Sequence, residues 1–419
     1  MSSMRRYGIV MALLALPVLA HSPASVQQLQ AQARSALAAR NLPEALADYQ
    51  KLVQLVPHSA AYQDELGFLL AASKRASESI EHFRRATELD PKMAQAWFHL
   101  GAALMLSGEQ NAGIQALEKA AALAPDRADY RYRLGAAYND AHQYAKAIPE
   151  LQFAATKAPA NESVWEALGI AYEQEKKWSE AKSAYERALE LDPKNNTIRD
   201  SYGYVLAKSG ALAKAIIQFQ EILKQEPDNI HAQVNLGFSY IGAGRYKDAI
   251  AYLSRAVQEH PEDPSAHYNL AAAYKLTDDF PHAIEQFKKT IELDPSLADA
   301  YFLLGNTYLA KGEPKQAIVQ FRAAVKQKPD YVNAWYQLGM TLKEQGDKKG
   351  AIDAMRHSVA LDDSDAGAFN TLGLLLRRTG DIAGSKQAFA KAAALRAAEN
   401  ARKQKELEQG MAKIRGTSK

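Results

Sequence analysis

Apolar residues recur three and four apart in paired segments along this chain, and the pairing itself recurs. Ser163–Glu175 and Trp178–Glu190 show the pattern: two amphipathic stretches separated by a short polar gap. That spacing lines apolar side chains along one face of a helix, so two such helices joined by a turn can bury their stripes against each other. The pattern repeats every 34 residues and is marked by Pro57, Pro91, Pro125, Pro159, Pro193, Pro227, Pro261, Pro295 and Pro329, with no insertion or slip. A period in this range marks a stacked architecture in which each hairpin packs only on its neighbours. The chain is therefore predicted to be all-α, with units starting at 26, 60, 94, 128, 162, 196, 230, 264, 298, 332 and 366 and ending at residue 399.

With the spaced proline counted as position 32, the columns separate by size. Position 8 reads Gly67, Gly101, Gly135, Gly169, Gly203, Gly237, Ala271, Gly305, Gly339 and Gly373 from the second unit onward. Position 20 is Ala, Ser or Gly throughout, and position 24 is always bulky, as in Tyr49, Phe83, Tyr185 and Phe321. Small residues at positions 8 and 20 let the two backbones of a hairpin approach, and large ones at positions 4, 7, 11 and 24 fill the space around the contact. Trp97, Trp165 and Trp335 at position 4 are expected to be core anchors. Proline lacks an N–H and disfavours helix in the residue before it, so it ends the second helix. Asp90, Asp192, Asp228 and Asp330 beside the prolines suit the turn and the cap of the next helix.

The run WEALGIAY at Trp165–Tyr172, the segment AYERALELDP at Ala184–Pro193 and their counterparts across residues 26–399 resemble the tetratricopeptide repeat family. Departures are local: Asp363 replaces the proline after the tenth unit, Ala271 replaces a glycine, and the first unit carries Ala33 and Ala36 at positions 8 and 11. The resemblance implies a right-handed superhelical solenoid of about eleven helix-turn-helix units whose first helices line a concave groove. Repeats attached to O-linked N-acetylglucosamine transferases look similar, but no residues are left over here for a catalytic domain.

Composition adds a location. Residues 1–20 read as a secretory signal, with Arg5 and Arg6 ahead of the apolar run Ile9–Ala20 and small residues at its end. A helix of that run rises roughly 18 Å, short of the roughly 30 Å hydrocarbon core. The chain is thus expected to be exported, periplasmic or extracellular, with no membrane span after removal of the signal. Without Arg5 and Arg6 the balance is 49 basic against 48 acidic side chains, which gives no reason to expect a nucleic-acid partner. No cysteine is present, which excludes disulfides and thiolate chemistry. Residues 400–419 continue the last helix as a basic capping helix or tail.

Catalytic patterns are missing from the sequence. The ten histidines are scattered with no metal-ligand spacing, and no phosphate loop, dinucleotide fingerprint or nucleophile elbow is present. No enzyme activity, metal or cofactor is expected.

In the resembled family, positions 2, 5, 6, 9, 12 and 13 face the groove. Position 5 carries Phe98, Tyr132, Tyr268, Phe302 and Tyr336, and position 9 adds Tyr204 and Phe238. Spaced rings supply large contact area at low entropy cost and suit a peptide segment. Asn235 and Asn269 at position 6, with Asn306 at position 9, form a partial ladder that could both donate to and accept from a peptide backbone. The carboxylate clamp of co-chaperones is excluded, because position 5 holds no lysine. Acidic groove residues gather in units two to six (Asp64, Glu65, Asp129, Asp140, Glu166, Glu173, Asp200, against Arg133 and Lys208). Basic ones gather in units eight to eleven (Lys275, Lys343, Arg377, Arg378, against Glu344). These columns point to a protein–protein interaction scaffold or adaptor holding a partner segment. The alternative is a subunit of an envelope polysaccharide synthesis or export complex, with the rings stacking on sugars.

Overall fold

The computed structural model describes residues 23–416. The expected secretory signal lies outside them. Among the described residues there are 22 helices and no strand. The described residues divide into two compact bodies, one up to residue 198 and one from residue 199 onward. Within each body the helices pack in sequence order, and first helices of adjacent units also touch. From the second unit onward the first helix spans positions 1–13, as in Glu162–Gln174 and Ile230–Gly242, and the second starts at position 17, as in Trp178–Leu191 and Tyr246–Glu259. The last helix, Ile382–Gly416, runs on into the C-terminal extension.

Hairpin closure follows the size columns. A Cβ built on Gly169 would lie 2.6 Å from Cε1 of Tyr185, and one on Gly305 would lie 2.6 Å from Cε1 of Phe321. Position 8 is therefore small because the bulky side chain at position 24 of the same unit lies directly on it. Tyr185, Phe219, Phe287 and Phe321 are fully buried in that role. In the first body, Ala33, Ala36, Tyr49, Leu52, Leu66 and Leu70 form one cluster, so the first unit packs with small alanines. In the second body a single cluster runs from Ala271 to Ala388.

Two turn devices differ from the sequence expectation. The tryptophans at position 4 are only half-buried, and their ring N–H groups donate to the carbonyl of the preceding repeat proline: Trp97 to Pro91 at 3.0 Å, Trp165 to Pro159 at 3.0 Å and Trp335 to Pro329 at 2.8 Å. Gln63, Arg131, Gln233, His267 and Tyr301 likewise reach the carbonyl of the proline that precedes their own unit. Position 4 thus pins the turn as well as packing on the core, where Trp97 and Trp335 lie against the apolar clusters. Where Asp363 replaces the proline, position 4 is Phe369, which has no donor.

The second device concerns the caps. The side chains that cap first helices belong to position 34, where Ser59, Asn229, Asp263 and Asp365 accept from helical N–H groups. Asp90 and Asp192 instead accept from the N–H two residues on, bracing the turn across the proline. Asp228 and Asp330 cap nothing; the N-cap of the helix after each is the next residue, Asn229 and Tyr331.

Position 15, between the two helices, has positive φ in every unit. Glycine fills it at Gly108, Gly210, Gly244, Gly312, Gly346 and Gly380, while Arg40, Lys74, His142, Lys176 and Asp278 hold it at a conformational cost.

Candidate functional site

The ten candidate groove residues are all half-buried and all lie on first helices. Half-burial follows from the register. Positions 5 and 9 sit beside the apolar stripe, so each ring puts one edge on the core and leaves the other open. In the second body Tyr268, Phe302 and Tyr336 pack against the core cluster from consecutive first helices. Tyr268 meets Phe287 edge-on at 6.0 Å between centroids. Phe302 touches Phe321 at 5.9 Å and Tyr331 at 5.0 Å. The Tyr331 hydroxyl donates to Asp299. Burial, reinforced by the Asp299 charge, pushes the Tyr268 phenol up to about 12.

Also in the second body, Tyr204 and Phe238 are drawn together by one cation. The Lys208 ammonium lies 5.2 Å from the first ring centroid and 4.8 Å from the second. In the first body Phe98 lies flat on Tyr130, with centroids 4.4 Å apart, while Tyr132 is half-buried on Ala128–Asp140.

The asparagines are partly committed to the wall. Asn235 donates its amide to Asp200 at 3.1 Å, and Asn269 donates to the Ser265 carbonyl of its own helix at 2.8 Å. Asn306 is half-buried on Ala298–Ala310. A ladder reading a peptide backbone would have Asn306 and the remaining amide groups of Asn235 and Asn269.

Several acidic residues of the groove columns are likewise taken up. Asp64 is fully buried, with His99 at 2.9 Å and Gln95 donating at 3.2 Å, so it presents no charge at the surface. Asp129 pairs with Arg127, and Glu173 accepts from the Tyr185 hydroxyl. Burial pushes the carboxyls of Glu65, Glu166 and Asp200 above the usual range. Of the acids counted along units two to six, Asp64 is buried, Glu65, Glu166, Glu173 and Asp200 are half-buried, and Asp129 and Asp140 are exposed.

Sequence reasoning passed over several apolar groups in these same columns. Phe68, at position 9, is 50% exposed, and Leu106, at position 13, is 81% exposed; Ile170, Leu276 and Leu374 are exposed in the same columns. A count of aromatics leaves out the four aliphatic side chains, whereas Phe68 is a further ring of the position 9 column.

Two crevices lie elsewhere. One of about 410 Å³ is lined by Gln220, Gln233 and Tyr252 among others, and one of about 490 Å³ by Gln152, Trp165 and Tyr172 among others. Neither is lined by a candidate groove residue. Among the described residues no three His, Asp or Glu side chains gather to hold a metal ion, and no helix is long and apolar enough to cross a membrane.

The repeated hairpin, with small position 8 under bulky position 24, defines a helical-repeat protein of the all-α solenoid class. Comparison with protein families agrees. Residues 150–267 match the cytochrome c-type biogenesis protein H TPR domain. Tetratricopeptide repeat families match residues 31–94, 69–128, 240–296 and 332–365, and a TPR repeat family matches 305–346. The chain is a tetratricopeptide repeat protein. No curated protein sequence matches it. Among solved structures it is similar to a tetratricopeptide repeat protein from Parabacteroides merdae, with 17% identity and a TM-score of 0.53 over 59% of this chain and 98% of that one. It is also similar to MamA, with 27% identity and a TM-score of 0.36 over 38% of this chain and 94% of that one.

Proposed function

We propose that this chain is a non-enzymatic scaffold or adaptor that holds a segment of a partner protein against the first-helix faces of its repeats. It is exported through its secretory signal and works in the periplasm or outside the cell. One observation carries the reading. Half-exposed rings and exposed aliphatic side chains recur in the same columns of the first helices, at positions that the hairpin does not need for closure. The closure residues repeat and are buried; the open residues vary from unit to unit, as a surface that recognises a particular partner requires.

The test is affinity capture from envelope extracts on the immobilised chain, with Tyr268→Ala, Phe302→Ala and Tyr336→Ala beside the wild type. Loss of an anchoring ring should weaken capture of the partner by about 1–3 kcal/mol at a temperature where each variant is still folded, even though its melting point falls because the ring also packs on the core. Unchanged capture with a lowered melting temperature would assign the rings to the core and defeat the proposal.

A further inference from the structure

In the second body the ring at position 5 and the cation at position 12 share one helical stripe. Tyr268, Ala272 and Lys275 are spaced i, i+4, i+7 on Pro264–Leu276, and Tyr336, Met340 and Lys343 are spaced the same way on Val332–Glu344. Lys343 Nζ lies 3.4 Å from Met340 Sδ, which fixes it in that stripe. Asn370, Leu374 and Arg377 continue the register on Ala366–Arg378, with Arg378 beside them.

Among the described residues Lys275, Lys343, Arg377 and Arg378 form no ion pair. Some cations of the same body do, as in Lys289–Glu292, Lys311–Glu313, Arg356–Asp381 and Lys391–Asp363, while others such as Lys288, Lys315 and Arg322 do not, so it is their place on one stripe beside the rings that sets these four apart. The helix dipole favours cations at helix C-termini, but it does not select these. In the first body the helices Ala128–Asp140 and Glu162–Gln174 carry Asp140 and Glu173 at positions 13 and 12 of their last turns, where the dipole disfavours them. The acids facing the same columns of the second body are largely occupied: Asp200 is bonded by Asn235, and Asp299 by Tyr331. Glu344 is the remaining counter-charge among those columns.

Resting on the groove reading above, we infer that the first-helix face of the second body binds an acidic protein segment, with apolar side chains on the ring column and carboxylates on the cation column. Position 5 to position 12 is a rise of about 10 Å along a helix, so the carboxylates lie about that far from the apolar anchors.

The experiment uses the full purified chain and three fluorescein-labelled peptides of equal length. One alternates Asp and Glu with Leu and Phe, one replaces the acids by Asn and Gln, and one replaces them by Lys. Fluorescence anisotropy should show the acidic peptide binding at least about tenfold more tightly than the amide peptide, with the preference shrinking as salt rises. Lys343→Glu with Arg377→Glu should abolish the preference while the melting temperature holds. Equal binding of all three peptides, weakened alike by Tyr336→Ala, overturns the acidic preference and leaves the groove reading standing. Binding by none of them also overturns it, and the groove reading is then judged by the capture experiment. A single-stranded oligonucleotide of matched charge that binds as tightly as the acidic peptide overturns the inference too.

Discussion

A methyl group added at Gly169 tests the packing rule that closes every hairpin. The built Cβ would lie 2.6, 2.7 and 2.9 Å from Cε1, Cδ1 and Cζ of Tyr185, where carbon atoms prefer about 3.5–4.0 Å. Tyr185 is fully buried, and its hydroxyl donates to Glu173 at 2.9 Å, so the ring is held at its tip as well as its flanks. Overpacking of this kind costs about 1–3 kcal/mol. The better helix propensity of alanine returns about 1 kcal/mol. Gly169→Ala should therefore destabilise by about 1 kcal/mol, and by no more than about 2. Ala33 and Ala271 hold this register opposite Tyr49 and Phe287, so the stack accepts a methyl by repacking, in keeping with a modest cost. Urea unfolding gives the total, and native-state hydrogen exchange should place the loss in Glu162–Gln174 and Trp178–Leu191. Tyr185→Phe frees the ring tip, so the alanine should cost less in that background, with a coupling of about 0.5 kcal/mol or more. A Gly169→Ala protein as stable as wild type, with no coupling to Tyr185, would refute the reasoning.

Lys176 holds φ 56 at position 15, so Lys176→Gly should stabilise by about 1 kcal/mol in thermal unfolding. Gly210→Ala should destabilise even though nothing lies within 4 Å of the added methyl, because Gly210 has φ 83. Trp165→Phe deletes the donor to the Pro159 carbonyl and should cost about 1 kcal/mol, read by urea unfolding. Asp200 supplies a pH test. Burial raises its folded-state pKa above the unfolded value, against the bond from Asn235 and the His231 charge. The native state therefore binds more protons between the two values, and stability falls as pH rises through that window. Asp200→Asn should melt higher than wild type at neutral pH, with the advantage vanishing in acid; equal melting at neutral pH would contradict the assignment.

The fold was legible because hairpin closure is a size rule, and size is written in residue type. Gly169 under Tyr185 and Gly305 under Phe321 are visible as columns before any coordinate is known. The pin on the proline carbonyl was hidden because Trp97, Gln233 and His267 share a hydrogen-bonding nitrogen, not a size. The left-handed residue at position 15 was hidden because only six of eleven units use glycine there.

The groove was half legible. The columns could be named, yet Asp64 and Asp140 look alike in sequence while one is buried against His99 and the other is exposed. Burial of a groove charge depends on the facing helix of the next unit, which a single column does not carry. The same holds for Asn235, whose partner Asp200 stands one unit earlier.

Site-specific photo-crosslinking tests the central claim most directly. A photoreactive phenylalanine would be placed at Phe238 and Phe302 on the first helices, and at Ile217 and Val319, which are exposed on second helices of the same body. After irradiation in envelope extract, the account predicts a crosslinked partner from Phe238 and Phe302 and none from Ile217 or Val319. Crosslinks confined to Ile217 and Val319 would place the partner on the opposite faces of the hairpins and contradict it.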